Sequence, residues 1–337
     1  MWKKFSEIEN SYQEKTLFFI REVVDRNVKW VVLPKVDGSN GSYIISKNDI
    51  KIARRSDVVT DGSNFDCMLD NLEKYRTRFQ CALKEVQSMY PLNNIESIII
   101  FGENFGGVYN HPDVNKVPGS KKIQGRIQYC PHNDFIAFDI ATPTENGNQY
   151  MNWELATQVF ENCNILFTPT LFVGTLDECL NYPNDEPDMI HKLFHLPSIE
   201  NNITEGVVIK PLIEHQFGNG QRVILKNKND KFSEKMKSNK IKVVKEINMS
   251  DTENEAREAI LEFITINRLH NVLSHIGEVS KKDFGNVLKE YNLDILKDFE
   301  KEFNFDLTNE ETKRLQKFVN NEASEIMRSE FFKHTID

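Results

Sequence analysis

Cysteine is scarce and unpatterned. The chain of 337 residues has five, Cys67, Cys81, Cys130, Cys163 and Cys179, and no CxxC pair. An odd, scattered set argues against a disulfide scaffold and a thiolate zinc site, and it fits a reducing, cytoplasmic compartment. Glycine (15) and proline (11) are too few for a collagen-like or low-complexity polymer. No apolar run approaches the roughly 18 residues a membrane span needs, so no membrane partner is expected. The opening residues MWKKFSEIENSYQEK lack the apolar stretch of a secretory leader. Positive charge is in deficit, with 42 Lys and Arg against 51 Asp and Glu, a net −9. Globally, that balance speaks against a nonspecific nucleic-acid binder.

The local balance differs. Between Lys210 and Lys245 ten basic residues face only Glu214, Asp230 and Glu234. A basic stretch inside an acidic chain suggests a polyanion contact, although a charge run alone is more often a solvated surface. The length suits roughly two domains, and 39% hydrophobic residues suffice for a core in each. Up to about Lys228, short β-branched or aromatic runs predict strands at Val28 to Leu33, Ser42 to Ile45, Ile50 to Ala53, Ile98 to Phe101, Phe135 to Ile140, Gly206 to Ile209 and Val223 to Leu225. A helix is predicted from Asp66 to Tyr90. Strands mixed irregularly with helices mean an α+β domain. After Ser250 the pattern turns helical. Ser250 with Glu253 and Thr308 with Glu311 are capping-box pairs, Ser280 and Asp283 could start a further helix through Tyr291, and Ala256 to Ile276 keeps a helical period ahead of Gly277. His191 and His195, at i and i+4 without a third ligand, read as a surface pair and not as a zinc site.

The chemistry-bearing elements come in a fixed order. KVDGSN, Lys35 to Asn40, follows an apolar strand. IARR ends at Arg55. FGENFGG holds Glu103, FIAFDI holds Phe138 and Asp139, TEGVVIKP holds Glu205 and Lys210, and VILKNK holds Lys226 and Lys228. Each alone could be a strand carrying an end charge, and KVDG alone a β-turn with an exposed lysine. Together, in this order, they are not a chance set. A lysine acts as a nucleophile only when neutral, which needs burial or cationic neighbours to lower its usual pKa of about 10.4. Lys226 and Lys228, two apart on a strand, point to one face.

This set resembles the motifs of the covalent nucleotidyltransferases, which comprise polynucleotide ligases and mRNA capping enzymes. More narrowly it resembles the RNA ligase 2 family, the phage-type double-strand nick-sealing ligases and trypanosome RNA-editing ligases. The likeness runs from Trp2 to Phe5 through Lys231 to Lys235 and into Asn267-Arg268, Ile276 to Glu278 and Lys282 to Gly285. It implies an α+β fold: an N-terminal nucleotidyltransferase (ATP-grasp-like ligase) domain of antiparallel sheets with helices over 1–243, and an all-helical C-terminal domain over 244–337. It implies an ATP-dependent RNA ligase joining 3′-OH and 5′-phosphate ends through lysyl-AMP and an adenylated RNA, sealing nicks in duplex RNA as a monomer. Lys35 is then the nucleophile, with Lys226 and Lys228 catalytic at the AMP phosphate. Val36, Asn40, Arg55, Glu103, Phe138 and Lys210 bind the nucleotide. Glu205 and Asp139 serve Mg2+, with Mn2+ as a substitute, and Asn40, Arg55, Arg268, Asp294 and Asp298 serve RNA sealing. Two positions depart from the phage-type pattern: Asp37 stands in place of histidine, and Pro34 in place of a glutamate. A capping-type guanylyltransferase and a catalytically inactive RNA-binding relative remain as alternatives.

Overall fold

The computed structural model describes residues 2–233 and 249–333. They form two compact units: residues up to Tyr12 with Thr16–Asn229, and Gln13–Lys15 with the described residues from Asp230 onward. The expected boundary between 243 and 244, and Lys235, Lys237, Lys240, Lys242 and Lys245 of the basic segment, lie outside the described residues.

The first unit carries two five-stranded sheets. One has the order β1 (Glu9–Asn10), β10 (Leu225–Lys228), β9 (Gly206–Pro211), β2 (Trp30–Pro34), β8 (Phe172–Gly174). The other runs β4 (Ile50–Arg54), β3 (Ser39–Ser46), β5 (Ser97–Gly106), β6 (Asn133–Thr144), β7 (Gly147–Tyr150). Pairing is antiparallel except between β1 and β10. The run WVVLP of β2 is buried along its whole length, the signature of a strand covered on both faces.

Alternation along β5 sorts its side chains between two cores. Ile98 and Ile100 join the cluster around helix α2 (Met68–Met89), whose Leu72, Tyr75, Phe79, Leu83 and Val86 form one apolar stripe. Ile99 and Phe101 face the opposite way, into a cluster with Phe5, Tyr150 and Ile224. That cluster draws on strands of both sheets, so Glu103, next in the same alternation, emerges where the sheets face each other.

Two expectations need correction here. Cys81 of α2 and Cys163, at the end of helix α3 (Trp153–Asn162), form a disulfide between Cα atoms 5.7 Å apart, leaving Cys67, Cys130 and Cys179 as buried free thiols. One cross-link inside an already large core is not a scaffold, but it is a bridge that the scattered spacing concealed. His191 is no surface residue: it is 5% exposed and its Nδ1 lies 3.2 Å from Asp188 Oδ2. It sits in a 3₁₀ turn, Ile190–Phe194, so the i, i+4 spacing shared with His195 does not align the two rings as on an α-helix.

Among its described residues the second unit is helical: α5 (Asp251–Leu261), α6 (Ile266–Ile276), α7 (Phe284–Glu302) and α8 (Asn309–Glu330). The continuous period read from Ala256 to Ile276 is two helices. Thr265 caps α6 by accepting from the Arg268 amide at 3.2 Å, and its own carbonyl takes the Tyr291 hydroxyl at 2.8 Å. Arg268 has 0% exposure. It donates to Phe263 O (3.0 Å), Asp294 Oδ2 (2.6 Å) and Asp298 Oδ2 (3.0 Å). The arginine assigned to RNA is thus enclosed in the helical core, and the two aspartates assigned with it are its counter-ions. A buried arginine with two acceptors on one neighbouring helix ties α6 to α7.

Removing one partner of such a pair leaves charge without compensation. Arg268→Ala is expected to destabilise the helical unit by about 3 kcal/mol, read as a lowered denaturant midpoint.

Candidate active site

Three strands bring the site together. Pro34 ends β2 opposite Val207 of β9, and the next amide, Lys35 N–H, donates to Gly206 O at 3.0 Å. On the other side of β9, Lys228 of β10 pairs with Gly206. Glu205 immediately precedes β9, so it has a lysine on each flank. Lys35 Nζ lies 2.8 Å from Glu205 Oε2, and Lys228 Nζ lies 3.1 Å from Oε1. Gly206 makes the approach possible. Its φ is +143°, and a Cβ there would lie 2.2 Å from Asn227 O. Gly38 does the same for the KVDG turn, where a Cβ would lie 2.3 Å from Asn104 O.

The Glu205 side chain is 3% exposed. Burial alone would raise its carboxyl, but Lys35 and then Lys228 hold it down to about 2, so it stays an anion. Glu103, paired with Asn40 across the β3–β5 ladder, behaves in the opposite way. Burial pushes its carboxyl up to about 8, Glu205 and Asp37 add repulsion, and Lys35 and Arg55 only partly offset them. Asp37 is also raised, by burial and then by Glu205, with Arg126 opposing. The Arg126 guanidinium grips both Asp37 oxygens, its Nε at 3.2 Å from Oδ2, and the Tyr129 hydroxyl accepts the Asp37 N–H at 2.7 Å.

A second charged cluster lies under Phe138. Asp139 Oδ1 takes Lys210 Nζ at 2.6 Å and Arg222 Nη2 at 3.1 Å, and Oδ2 takes Arg222 Nη1 at 2.8 Å. Arg222 Nε also reaches Glu214 at 3.0 Å, and its guanidinium stacks 3.9 Å from the Tyr150 ring centroid. Lys210 sits 4.2 Å from the centroid of Trp153 and donates to Phe138 O at 3.1 Å. The β5–β6 register slips between Phe101 and Gly102, leaving Phe138 as the extra residue of a β-bulge. Bulges re-aim side chains next to functional sites, and Lys210 pins this one by its carbonyl.

Comparison with known proteins decides the family. The RNA ligase profile matches residues 28–228, and the T4 RNA ligase 2 C-terminal profile matches residues 245–325. The chain belongs to the RNA ligase family. The mitochondrial RNA-editing ligase 1 of Trypanosoma brucei brucei is 26% identical over 81% of this chain and 70% of that protein. RNA-editing ligase 2 of the same organism is 24% identical over 90% of this chain and 84% of its own length. A solved structure of Naegleria gruberi RNA ligase aligns with a TM-score of 0.45 at 17% identity, covering 68% of this chain; this chain spans only 56% of that one.

In this family member the network joins Lys35, Glu103, Glu205, Lys228 and Arg55, with Asn40 beside Glu103 in the ladder. Val36, 7% exposed, is buried next to Lys35. Lys226 is half-buried on β10 opposite Val208. Two assignments change. Both Asp139 oxygens are taken by cations that are themselves 2% exposed, whereas the Lys35 that holds Glu205 is 21% exposed, so Asp139 serves as a closed counter-ion and not as a metal ligand. Lys210, 2% exposed, is held by Asp139 and the Phe138 carbonyl, which makes it a support for the bulge that carries Phe138. Among the described residues no group of three His, Cys, Asp or Glu converges as a metal cage. The hard oxygens of Glu205 still suit a cation that arrives with substrate phosphates, the usual habit of Mg2+. Arg126, Tyr129 and Arg222 were not singled out by motif. Arg222 precedes VILKNK directly, whereas Arg126 lies in the irregular 107–132 connection, where no sequence period marks it.

Two outcomes test these placements. Asp139→Ala is expected to destabilise the first unit by about 3–5 kcal/mol, because two buried cations lose their acceptor; chemical denaturation checks it. The raised Glu103 carboxyl makes the folded state hold a proton that the unfolded chain releases near the ordinary carboxyl value of 4.5. Stability should therefore fall as pH rises from about 4.5 to about 8 and level off above. Glu103→Gln should remove that slope in parallel pH-dependent melts.

Proposed function

We propose that this RNA ligase family member uses ATP to join RNA 3′-OH and 5′-phosphate ends, sealing nicks in duplex RNA. The observation that carries the reading is the Lys35–Glu205–Lys228 arrangement at the end of β2. It places one amine, 21% exposed at its side chain, beside a fixed anion and a second cation. That is a site built to receive a phosphate.

In the first step the Lys35 ammonium gives one proton to water, and the lone pair so freed on its nitrogen attacks the α-phosphorus of ATP. The bond from that phosphorus to the bridging oxygen breaks, and its electron pair leaves on pyrophosphate. The nitrogen sheds its remaining acidic proton to water. Lys228, already within reach of the Lys35–Glu205 pair, offers charge to the phosphate as it passes from ATP to lysyl-AMP, and Lys226 lies on the same strand. Such reactions need positioning and charge stabilisation more than covalent help. Glu103 in its protonated form can donate to a ribose hydroxyl as well as accept from one, and Phe138 offers a ring for the adenine. A divalent cation, Mg2+ with Mn2+ as a substitute, would be held by Glu205 and would neutralise charge on the pyrophosphate.

The AMP then passes to the RNA 5′-phosphate through a pyrophosphate bond, freeing Lys35. The 3′-OH attacks that phosphate and AMP leaves. Asn40, opposite Glu103 in the ladder, and Arg55, whose charge acts on Glu103, would serve these later steps. Duplex RNA is recognised by shape and 2′-OH groups with little sequence reading. We take the enzyme as monomeric from the family likeness and as cytoplasmic from its sequence; its trypanosome relatives are mitochondrial by name.

Incubation with radiolabelled ATP or GTP tests the reading. ATP should label the wild-type protein and Lys35→Ala should take no label, a loss of at least 100-fold; label from GTP alone would reassign the enzyme to cap synthesis. Residues 1–243 should still form the adduct but seal a nicked duplex far more slowly than the full chain. Equal sealing would remove the helical unit from the reaction.

A further inference from the structure

The geometry points to Arg126 as the residue that binds the pyrophosphate end of ATP, an inference that rests on the ligase reading above. The site's positive charges divide by position. Lys35 and Lys228 hold Glu205 between them, and Lys226 shares a strand with Lys228, so these three serve the α-phosphate. Arg55 acts on Glu103, the carboxyl given to the ribose. The leaving group, more highly charged than the α-phosphate, needs a fixed positive charge from the protein beside that of the divalent cation. Arg126 meets that need from outside the motif set.

Its placement is specific. Arg126 pairs with Asp37, two residues along the chain from the nucleophile. It is near enough to Glu205 to help hold that carboxylate ionised. The Asp37 side chain is 3% exposed while that of Arg126 is 32% exposed. The anion is therefore turned inward, and the cation is the member that reaches solvent. Asp37 alone would set a third carboxyl beside Glu205 and Glu103 and repel a polyphosphate. With the guanidinium paired to it through Nε and Nη2, the KVDG turn sets a partly exposed, delocalised cation beside the nucleophile, and phosphate oxygens suit such a cation. The turn is fixed beneath it by the Asp37 amide on Tyr129 and by the absence of a Cβ at Gly38.

The pyrophosphate is present in adenylation and in its reversal, and it is gone once lysyl-AMP has formed. Arg126 thus acts on one step only, which makes the inference separable from a structural role. In the full-length protein, Arg126→Gln should raise the KM for ATP in lysyl-AMP formation by about 10-fold, the loss of one charge-assisted contact of roughly 1.4 kcal/mol. It should equally weaken pyrophosphate-driven release of AMP from the adduct. Sealing of a nick whose 5′ end is chemically pre-adenylated should stay within twofold of wild type, which also shows that the variant is folded. Arg126→Lys should recover part of the loss.

The competing account makes Arg126 merely the counter-ion of Asp37. In that case Asp37→Asn combined with Arg126→Gln would restore the ATP KM. The inference expects no such rescue, and a rescue overturns it, as does an unchanged KM in Arg126→Gln. Slowed sealing of the pre-adenylated nick, equal to the loss in adenylation, would also overturn it by showing a general defect. Absence of any adduct in the wild type is a different failure, that of the ligase reading itself.

Discussion

A single buried carboxylate, Glu205, gripped by the ammonium groups of Lys35 and Lys228, is the constraint around which the first unit is arranged. For one anion to meet both lysines, β2 and β10 must flank β9, and β9 must begin at a residue with no side chain. The register supplies the first condition and Gly206 the second. Each lysine also keeps the carboxylate charged in a place where burial would otherwise neutralise it. The arrangement is a low-dielectric charge network that an entering phosphate can take over, because a phosphate oxygen offers the ammonium groups what Glu205 offers them.

The two charged clusters divide the labour. Around Lys35 the side chains are partly open and the carboxyls are pulled apart in their proton affinity, Glu205 down and Glu103 up. That divergence between neighbouring acids is typical of working sites. Around Asp139 everything is closed: Lys210 and Arg222 are both 2% exposed, and every described charge there has an opposite neighbour. That second cluster holds the bulged strand that carries Phe138, through the Lys210 bond to the Phe138 carbonyl. In the helical unit Arg268 plays the same supporting part between α6 and α7.

Much of this was legible in the chain. Strands β2 to β6 and β9 follow β-branched or aromatic runs because their faces are buried on one or both sides, whereas β7 (GNQY) has no such run; the motif residues gather on neighbouring strands, Lys35 and Glu205 just beyond a strand end and Glu103 and Phe138 within one. Helix α2 is visible from its stripe of Leu72, Tyr75, Phe79, Leu83 and Val86. What stayed hidden has common physical causes. A charge on a helix, such as Arg268, looks solvated unless the partners that bury it are known, and Asp294 and Asp298 belong to another helix. Asp139 and Lys210 carry the residue types of a ligand site, yet a neighbour 83 positions from Asp139, Arg222, closes it. The Cys81–Cys163 bridge spans 82 residues and has no local spacing to announce it. Arg126 sits in a connection without periodicity, so only its three-dimensional pairing with Asp37 reveals it.

The central claim is that Lys35, and no other amine in this network, accepts the nucleotide. Peptide mapping by mass spectrometry of wild-type protein treated with ATP and Mg2+ tests it most directly. AMP bound through nitrogen to the peptide containing Lys35 is the expected result. AMP on Lys210, Lys226 or Lys228, or on no peptide at all, would contradict the account.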